Sequence, residues 1–302
     1  MLKYSHLVLF VSLSSCSGGS ADRVNGTPQA AVDSLLAADR GYAESGADTN
    51  VVGALSRMMA VDVVMPAPGG QFICGRDSVI AALAANPANL ISRVRWTPIR
   101  GGISADGEHG FTLGFMDMIG ADSIVIPMKY LAYWIRGQEG WRVHAFKRSR
   151  RPDGPVSTAM MPAALPPRLI APGRDSISIR RLADELRARE LAFSDEARRV
   201  GLGPAFASFG SADAMHFGGP NDTSFVLGAP AIAAAVGLGE TGGATISWGA
   251  EQVLVASSGD LGVNIGFIVP DPDSTGGPPP RFPFFTVWRR DAVSAPWLYV
   301  AE

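Results

Sequence analysis

Two carboxylates and one histidine are the side chains of this sequence best suited to acid–base chemistry. Asp39 lies one helical turn after Leu35, which places a carboxylate on the apolar face of a helix, and Glu190 holds the matching place later in the chain. Desolvation raises the pKa of a buried carboxyl group, so either residue could act as a general acid or base. The alternative is a structural hydrogen bond, or an ion pair with an arginine such as Arg57 or Arg93.

His216 is the third candidate, because a histidine in a cavity that also holds Glu190 could shuttle protons. It ends the segment "AMH", which is apolar on both sides, so the sequence does not show where the ring points. A histidine at the rim or facing solvent is the alternative. The sequence contains no phosphate-loop lysine, no H-E-x-x-H and no paired C-x-x-C. We therefore expect no metal and no cofactor.

An internal repeat defines the elements around these residues. One tryptophan and three glycines recur 152 residues later at identical spacing. The first set is Trp96, Gly107, Gly110 and Gly114, and the second is Trp248, Gly259, Gly262 and Gly266. Helical spacing before each set and alternation of period two after it predict helices followed by antiparallel strands. Gly114 and Gly266 fall in mid-strand, so we expect a bulge or a bend there.

The repeat predicts a tandem duplication of one α+β unit. The first unit covers residues 30–148, and the second covers residues 176–302. Residues 149–175 are rich in proline and lack steady periodicity, so they indicate an extended linker. Within the first unit, Asn50 is expected to cap the second helix, and a third helix is expected after Gly75.

Several phrases of the first unit resemble the SnoaL-like branch of the nuclear transport factor 2-like superfamily, in particular its bacterial domains of unknown function. They are "LLAADRGYA", "G..F..GRDSVIAAL", "W.P....ISADGEHGFTLG" and "Y..YWIRGQEGWRV". The second unit is less similar and departs at "PDPDSTGGPPPRFP". The resemblance implies two cone-shaped units, each a strongly curved antiparallel sheet wrapped around its N-terminal helices. It also implies that the two copies pair sheet against sheet as an intramolecular pseudodimer.

In such a cone the open end is a largely apolar pocket. We expect its lining to come from aromatic and apolar residues of the first helix, the short strand and the long strands. These residues are Tyr42, Met65, Trp96, Phe111, Leu113, Phe115, Tyr130, Phe193, Trp248 and Phe267. Such a pocket indicates a small, partly apolar ligand.

Three functions remain open. The first is binding of a ligand without transforming it. The second is a cofactor-independent isomerase, dehydratase or cyclase that uses Asp39 or Glu190 with His216. The third is a protein-interaction module that uses its sheet surface. Ketosteroid isomerase-like members of the superfamily need a carboxylate base just after the short strand. Neither "VVMPAPGG" nor "AMHFGGPND" offers one in the strand, and Asp222 comes several residues too late. This disfavours the enzyme without excluding a dehydratase or a cyclase.

The charge balance argues against a nucleic-acid partner. The formal net charge is -2 and the pI is about 6.1, which leaves no basic excess to neutralise a phosphate backbone. The local run "KRSRR", Lys147 to Arg151, is expected to be a solvated domain edge.

The first residues favour export and a lipid anchor. A lysine followed by an apolar run over residues 7–13 indicates a signal peptide, residues 1–15, too short to span a bilayer permanently. The following "LSSC" resembles the lipobox of bacterial lipoproteins, which implies a lipid on Cys16, a linker over residues 16–29 and a place in the cell envelope. Because Ser17 follows, that would be the outer membrane if the cell has one. Membrane contact is expected only through this lipid, and Cys74 is expected to be a small buried residue.

Overall fold

The computed structural model describes residues 26–272 and 279–302. The first unit consists of α1 (Pro28–Gly46), α2 (Val51–Ser56), β1 (Met59–Ala67), β2 (Gln71–Cys74), α3 (Arg76–Ala84), α4 (Pro87–Ile91), β3 (Arg93–Ile103), β4 (His109–Ile119), β5 (Val125–Gly137) and β6 (Gly140–Arg150). The second consists of α5 (Ser176–Val200), α6 (Leu202–Phe209), β7 (Gly210–His216), β8 (Val226–Leu227), α7 (Ala229–Val236), β9 (Ile246–Val255), β10 (Leu261–Pro270), β11 (Phe282–Arg289) and β12 (Leu298–Ala301).

The predicted signal peptide and the predicted lipid site Cys16 lie outside the described residues. Within the two described ranges, no helix combines the length and the apolar character needed to cross a bilayer.

The two sheets have the same strand order, which confirms the α+β fold with two tandem cone units. The orders are β2-β1-β6-β5-β4-β3 and β8-β7-β12-β11-β10-β9. The pairs β1–β6 and β7–β12 are parallel, and the long strands that follow the helices are antiparallel to their neighbours. The prediction that Cys74 is buried is wrong. Its side chain is exposed, because β2 is the outermost strand of its sheet.

Local signals set the beginnings of the helices as the sequence predicts. The side chain of Asn50 accepts a hydrogen bond from the amide of Gly53 at 2.9 Å, and α2 follows it. Gly75 has φ of 89° directly before α3, a backbone conformation that strongly favours glycine. Longer helices open the two units, and each packs its apolar stripe on the inner face of its own sheet.

Both faces of each sheet are buried. The outer faces of the two sheets pack on each other and form one shared apolar core. Its larger members are Ile99, Phe111, Leu113, Phe115, Leu131 and Tyr133 from the first unit, and Met215, Leu261, Val263, Ile265, Phe285 and Val287 from the second. The two units therefore fit an intramolecular pseudodimer. The sheet surface that the interaction-module hypothesis needs is occupied by the other unit.

Hydrogen bonds between two hairpin turns, β3–β4 and β9–β10, close one end of this joint. The carboxylate of Asp106 accepts hydrogen bonds from the hydroxyl of Ser257 at 2.7 Å and from the amide of Ser258 at 3.2 Å. In return, the carboxylate of Asp260 accepts a hydrogen bond from the amide of Ala105 at 3.0 Å. This near-reciprocal exchange is what two related units produce when they face each other about a pseudo-twofold axis.

The repeated glycines lie where the chain needs space. A Cβ atom at Gly110 or Gly262 would overlap a leucine of the unit's first helix, and one at Gly114 or Gly266 would overlap a carbonyl oxygen of the neighbouring strand. The pairing register shifts by one residue opposite Gly114 and Gly266. The predicted bulge is therefore confirmed, and the extra residue belongs to the adjacent strand, β3 or β9.

Candidate functional site

In the first unit, the helix carboxylate lies in a cluster of buried hydrogen-bond donors. Asp39 is fully buried, and its Oδ1 accepts a hydrogen bond from the indole nitrogen of Trp96 at 2.7 Å. Its Oδ2 accepts one from the hydroxyl of Tyr130 at 2.8 Å. Burial raises the pKa of Asp39, and the polar side chains of Trp96, Thr112 and Tyr130 counteract part of that rise.

In the second unit, Glu190 lies in an equivalent cluster. It is fully buried and accepts hydrogen bonds from the indole nitrogens of Trp248 and Trp288, both at 2.8 Å. It also accepts one from the side-chain amide of Asn264 at 3.0 Å. Burial, assisted by the charge of Glu302, raises the pKa of Glu190 to about 8, although these three donors lower it.

The two clusters differ by compensating changes. In the first unit, the indole of Trp134 donates to the hydroxyl of Thr112 at 2.9 Å, and a tyrosine hydroxyl completes the shell of Asp39. Glutamate is one methylene longer than aspartate, so in the second unit the carboxylate reaches the indole of Trp288 directly. Phe284 then holds the place of Tyr130, since no hydroxyl is needed there.

These contacts correspond to the structural alternative that the sequence left open. The partners are indole, phenol and amide groups in place of Arg57 or Arg93, which the sequence offered as candidates. The cavity described next is lined by Trp248, the partner of Glu190, and not by Glu190 itself. A catalytic role for Asp39 or Glu190 stays a prediction. Neither carboxylate lines this cavity.

A cavity of about 150 Å³ lies in the cone of the second unit. Elements α6, α7, β7, β9, β10 and β11 contribute to its wall, together with the residue that follows β12. The lining residues are Leu202, Phe206, His216, Val236, Ile246, Trp248, Ile268, Phe284 and Glu302. The wall is mostly apolar and carries a few polar groups, as small-molecule sites do.

The hydrogen bonding of His216 defines what its ring can do. Its Nδ1 lies 2.9 Å from the backbone nitrogen of Gly218 and accepts the hydrogen bond of that amide. The neutral ring therefore carries its proton on Nε2. Burial, together with the charges of Lys147 and Lys129, lowers the pKa of His216 to about 4. At neutral pH the ring of His216 is thus uncharged and donates a hydrogen bond through Nε2. Its low pKa makes it a weak base.

Glu302 supplies the second polar group of the cavity. Among the described residues, its buried Oε2 has no hydrogen-bond partner. Burial raises the pKa of Glu302, while the ammonium group of Lys147 and the hydroxyl of Thr286 lower it. A buried polar atom without a partner is costly, so Oε2 provides an open acceptor or donor position for a bound molecule.

The matching positions of the first unit are apolar. Met65 corresponds to His216 in the repeat, and Phe146 corresponds to Glu302 because Ala145 and Ala301 hold equivalent pairing positions. Both residues belong to the buried core of the first cone. The two copies have thus diverged so that polar groups meet in the second cone.

The structure distributes the predicted pocket residues over several places. Trp248 lines the cavity of the second cone, as does His216, which the sequence offered as a catalytic candidate. Tyr42 lines a separate groove of about 400 Å³ between α1 and the β5–β6 turn. The remaining residues on the inner face lie in the packed cores of the two units, and they are Met65, Trp96, Tyr130 and Phe193.

Four of the predicted pocket residues lie on the wrong side of their strands for a pocket role. Phe111, Leu113 and Phe115 belong to the shared core between the sheets, and Phe267 packs edge-on against Phe72 of the first unit with ring centroids 5.1 Å apart. Side chains alternate along a strand, so these residues point away from the cone. The prediction for all four is wrong for this one reason.

Two charged residues, Glu302 in the cavity wall and Lys147 close to it, had no signal in local sequence. Glu302 follows the last strand, and Lys147 belongs to the "KRSRR" run that was expected to be solvated. That expectation is wrong for Lys147, whose ammonium group donates to the carbonyl of Phe285 at 3.2 Å and lies over the rings of Phe217 and Phe285. Burial lowers the pKa of Lys147 to about 8. The divergence of Phe146 and Glu302 between the copies is the signal that could have indicated this site.

Comparison with known proteins gives similarities of structure only. No protein-family model matches the sequence, and no curated protein matches it. Solved structures that are similar include a domain of unknown function with a cystatin-like fold from Nostoc punctiforme, at 13% identity, 39% of this chain, 77% of that chain and a TM-score of 0.33. A nuclear transport factor 2-like protein of unknown function from Pseudomonas putida is 15% identical over 43% of this chain and 92% of its own, with a TM-score of 0.34. A ketosteroid isomerase-like protein from Erwinia carotovora atroseptica is 16% identical over 41% of this chain and 96% of its own, with a TM-score of 0.30.

Proposed function

We propose that the second unit binds a small, largely apolar molecule that carries one hydrogen-bonding group. The observation that supports this most directly is the exchange of Met65 and Phe146 in the first cone for His216 and Glu302 in the second. A polar pair inside an apolar cone costs free energy unless a partner satisfies it. A ligand with a hydroxyl group could accept from Nε2 of His216 and donate to Oε2 of Glu302.

The size of the cavity limits the ligand. A cavity of about 150 Å³ is of the size that holds benzene. The bound molecule, or the part of it that enters the cone, is therefore about one six-membered ring. The first unit then acts as a scaffold, since its outer sheet face supports the sheet that forms the second cone.

Phenol and benzene are suitable probes because they differ by a single hydroxyl group. We expect phenol to bind with a Kd of about 0.1–1 mM, from roughly 0.6–0.8 kcal/mol per non-hydrogen atom. The measurement is the shift of the Trp248 indole N–H signal in a titration followed by NMR, since this indole lines the cavity. Replacing Glu302 by Met should weaken phenol binding about 5- to 10-fold, the value of one hydrogen bond, and leave benzene binding unchanged.

Glu251→Met is the matched control for this experiment. Glu251 lies on β9 of the same unit, is well exposed and pairs with Arg281 at the surface. The Glu251→Met replacement should leave the affinities for phenol and benzene unchanged. Equal affinity for phenol and benzene in the wild type would contradict a polar recognition site, and the absence of any shift at Trp248 would contradict the binding function.

We also propose that the chain is held in the cell envelope by a lipid on Cys16. The support is the sequence alone, in which the apolar run over residues 7–13 leads directly to "LSSC". We expect the wild-type protein to partition into detergent in a Triton X-114 phase separation and the Cys16→Ser variant to remain in the aqueous phase. Detergent partitioning that survives the Cys16→Ser replacement would rule out this anchor.

A further inference from the structure

Lys129 of the first unit reaches across the joint into the loop beside the second cone. It lies on β5, and its side chain is almost completely buried. Its ammonium group donates hydrogen bonds to three backbone carbonyls of the second unit, those of Phe217, Asp222 and Ser224, the last two at 2.7 and 2.6 Å. All three donors of the ammonium group are thus used on one loop.

One of these carbonyls shares a peptide plane with the amide that contacts His216. The carbonyl of Phe217 and the N–H of Gly218 belong to the same planar trans peptide, so they point in opposite directions. Lys129 binds the oxygen end of this peptide, and Nδ1 of His216 accepts the hydrogen bond of its N–H end at 2.9 Å. A cation at the oxygen polarises the peptide and strengthens the donor at the other end.

The rest of the loop keeps this peptide in place. The carboxylate of Asp222 accepts a hydrogen bond from the amide of Gly219 at 2.6 Å, and the amide of Phe217 donates to the carbonyl of Glu302 at 2.9 Å. Gly218 itself has φ of 74°. The loop therefore links Lys129 on one side to His216 and Glu302, the two polar residues of the cavity, on the other.

We propose that Lys129 is a positioning residue for the second cone, because it fixes the Nε2–H tautomer and the orientation of His216 through the Phe217–Gly218 peptide. Its consequence for ligand binding rests on the function proposed above. Through Lys129 the first unit then orients a polar group of the site without contacting the ligand.

The tautomer of His216 is directly measurable from the ¹⁵N chemical shifts of its ring in the full-length protein. In the wild type we expect a single neutral form with the proton on Nε2. In the Lys129→Met variant, which removes the ammonium group but keeps a similar chain length, we expect a mixture of both tautomers and at least a fivefold loss of phenol affinity.

Lys147→Met is the matched control. Lys147 also crosses the joint, donates to a carbonyl of the second unit and lowers the pKa of His216 by its charge, but it does not bind the Phe217–Gly218 peptide. This variant should raise the pKa of His216 and leave the proton of the neutral ring on Nε2. A tautomer change in Lys147→Met equal to that in Lys129→Met would overturn the proposal, because it would show an effect of charge alone.

A second variant covers the case in which Lys129→Met does not fold. Lys129→Arg keeps the positive charge, but the planar guanidinium group cannot direct three N–H bonds to one converging set of carbonyls as an ammonium group does. We expect partial loss of the Nε2–H form in this variant, and an unchanged tautomer in a folded Lys129→Arg protein would overturn the proposal. The tautomer is read without any ligand. If the tautomer of His216 responds to the variants as expected but the wild type binds no phenol, the proposed function is refuted and the positioning role of Lys129 stands.

Discussion

Replacing Glu190 by alanine should reduce the free energy of unfolding by about 3–9 kcal/mol. The change leaves three buried N–H groups without an acceptor, the indole N–H groups of Trp248 and Trp288 and one N–H of the Asn264 side-chain amide, whose other N–H donates to the carbonyl of Leu186 at 3.1 Å. Each unsatisfied buried donor costs about 1–3 kcal/mol. Chemical denaturation of the variant and the wild type, followed by far-ultraviolet circular dichroism, measures the difference.

Two further variants test the cause of this loss. Asp184 lies on the same helix, α5, with a largely exposed side chain paired to Arg187, so Asp184→Ala should change stability by less than about 0.5 kcal/mol. Asp39→Ala leaves two direct donors, those of Trp96 and Tyr130, without an acceptor and should cost about 2–6 kcal/mol. A loss for Glu190→Ala no larger than that for Asp184→Ala would show that the buried cluster contributes nothing.

The duplicated architecture was accessible from the sequence because its main constraints are local or repeated. Helical spacing, the cap at Asn50 and the turn at Gly75 act within a few residues, and the structure has them as expected. The repeated tryptophan is explained by one shared contact. In both units its indole donates to the carboxylate of the leading helix, Asp39 or Glu190.

The choice of the cone face failed because hydrophobicity is a poor guide when both faces of a sheet are buried. Phe111, Leu113 and Phe115 are the large apolar residues in the N-terminal part of β4, yet they face the other unit. The inner face carries Gly110, Thr112 and Gly114, which are small because the leading helix and its carboxylate cluster approach closely. The spacing of the repeated glycines would have indicated the correct face.

The cavity and its control by the other unit depend on contacts between distant parts of the chain. Lys129 meets the 217–224 loop across the joint, and Glu302 reaches the cavity only because β12 pairs with β7. No periodicity or motif encodes such contacts. A comparison of the two copies position by position does expose the exchange of Met65 for His216, and that exchange leads to the cavity.

The stability of the protein should depend on pH through Glu190. Its pKa is about 8 in the folded state, against an ordinary value of 4.5, so the folded state holds a proton that the unfolded state releases between these two values. The stabilisation is therefore complete below about pH 4.5 and is lost as the pH rises to about 8. The maximum slope for one proton is about 1.4 kcal/mol per pH unit.

Glu190→Gln isolates this contribution, because glutamine has the same shape and does not titrate in this range. Asp260, another buried carboxyl group with a raised pKa, contributes equally to both proteins, so the difference in unfolding free energy between wild type and variant reports Glu190 together with its coupling to Glu302. Between pH 5 and pH 8, we expect the unfolding free energy of the wild type to fall by roughly 3–4 kcal/mol relative to that of the variant. A difference that stays constant over this range would mean that three buried donors keep Glu190 ionised, and that hydrogen bonding outweighs desolvation in this core.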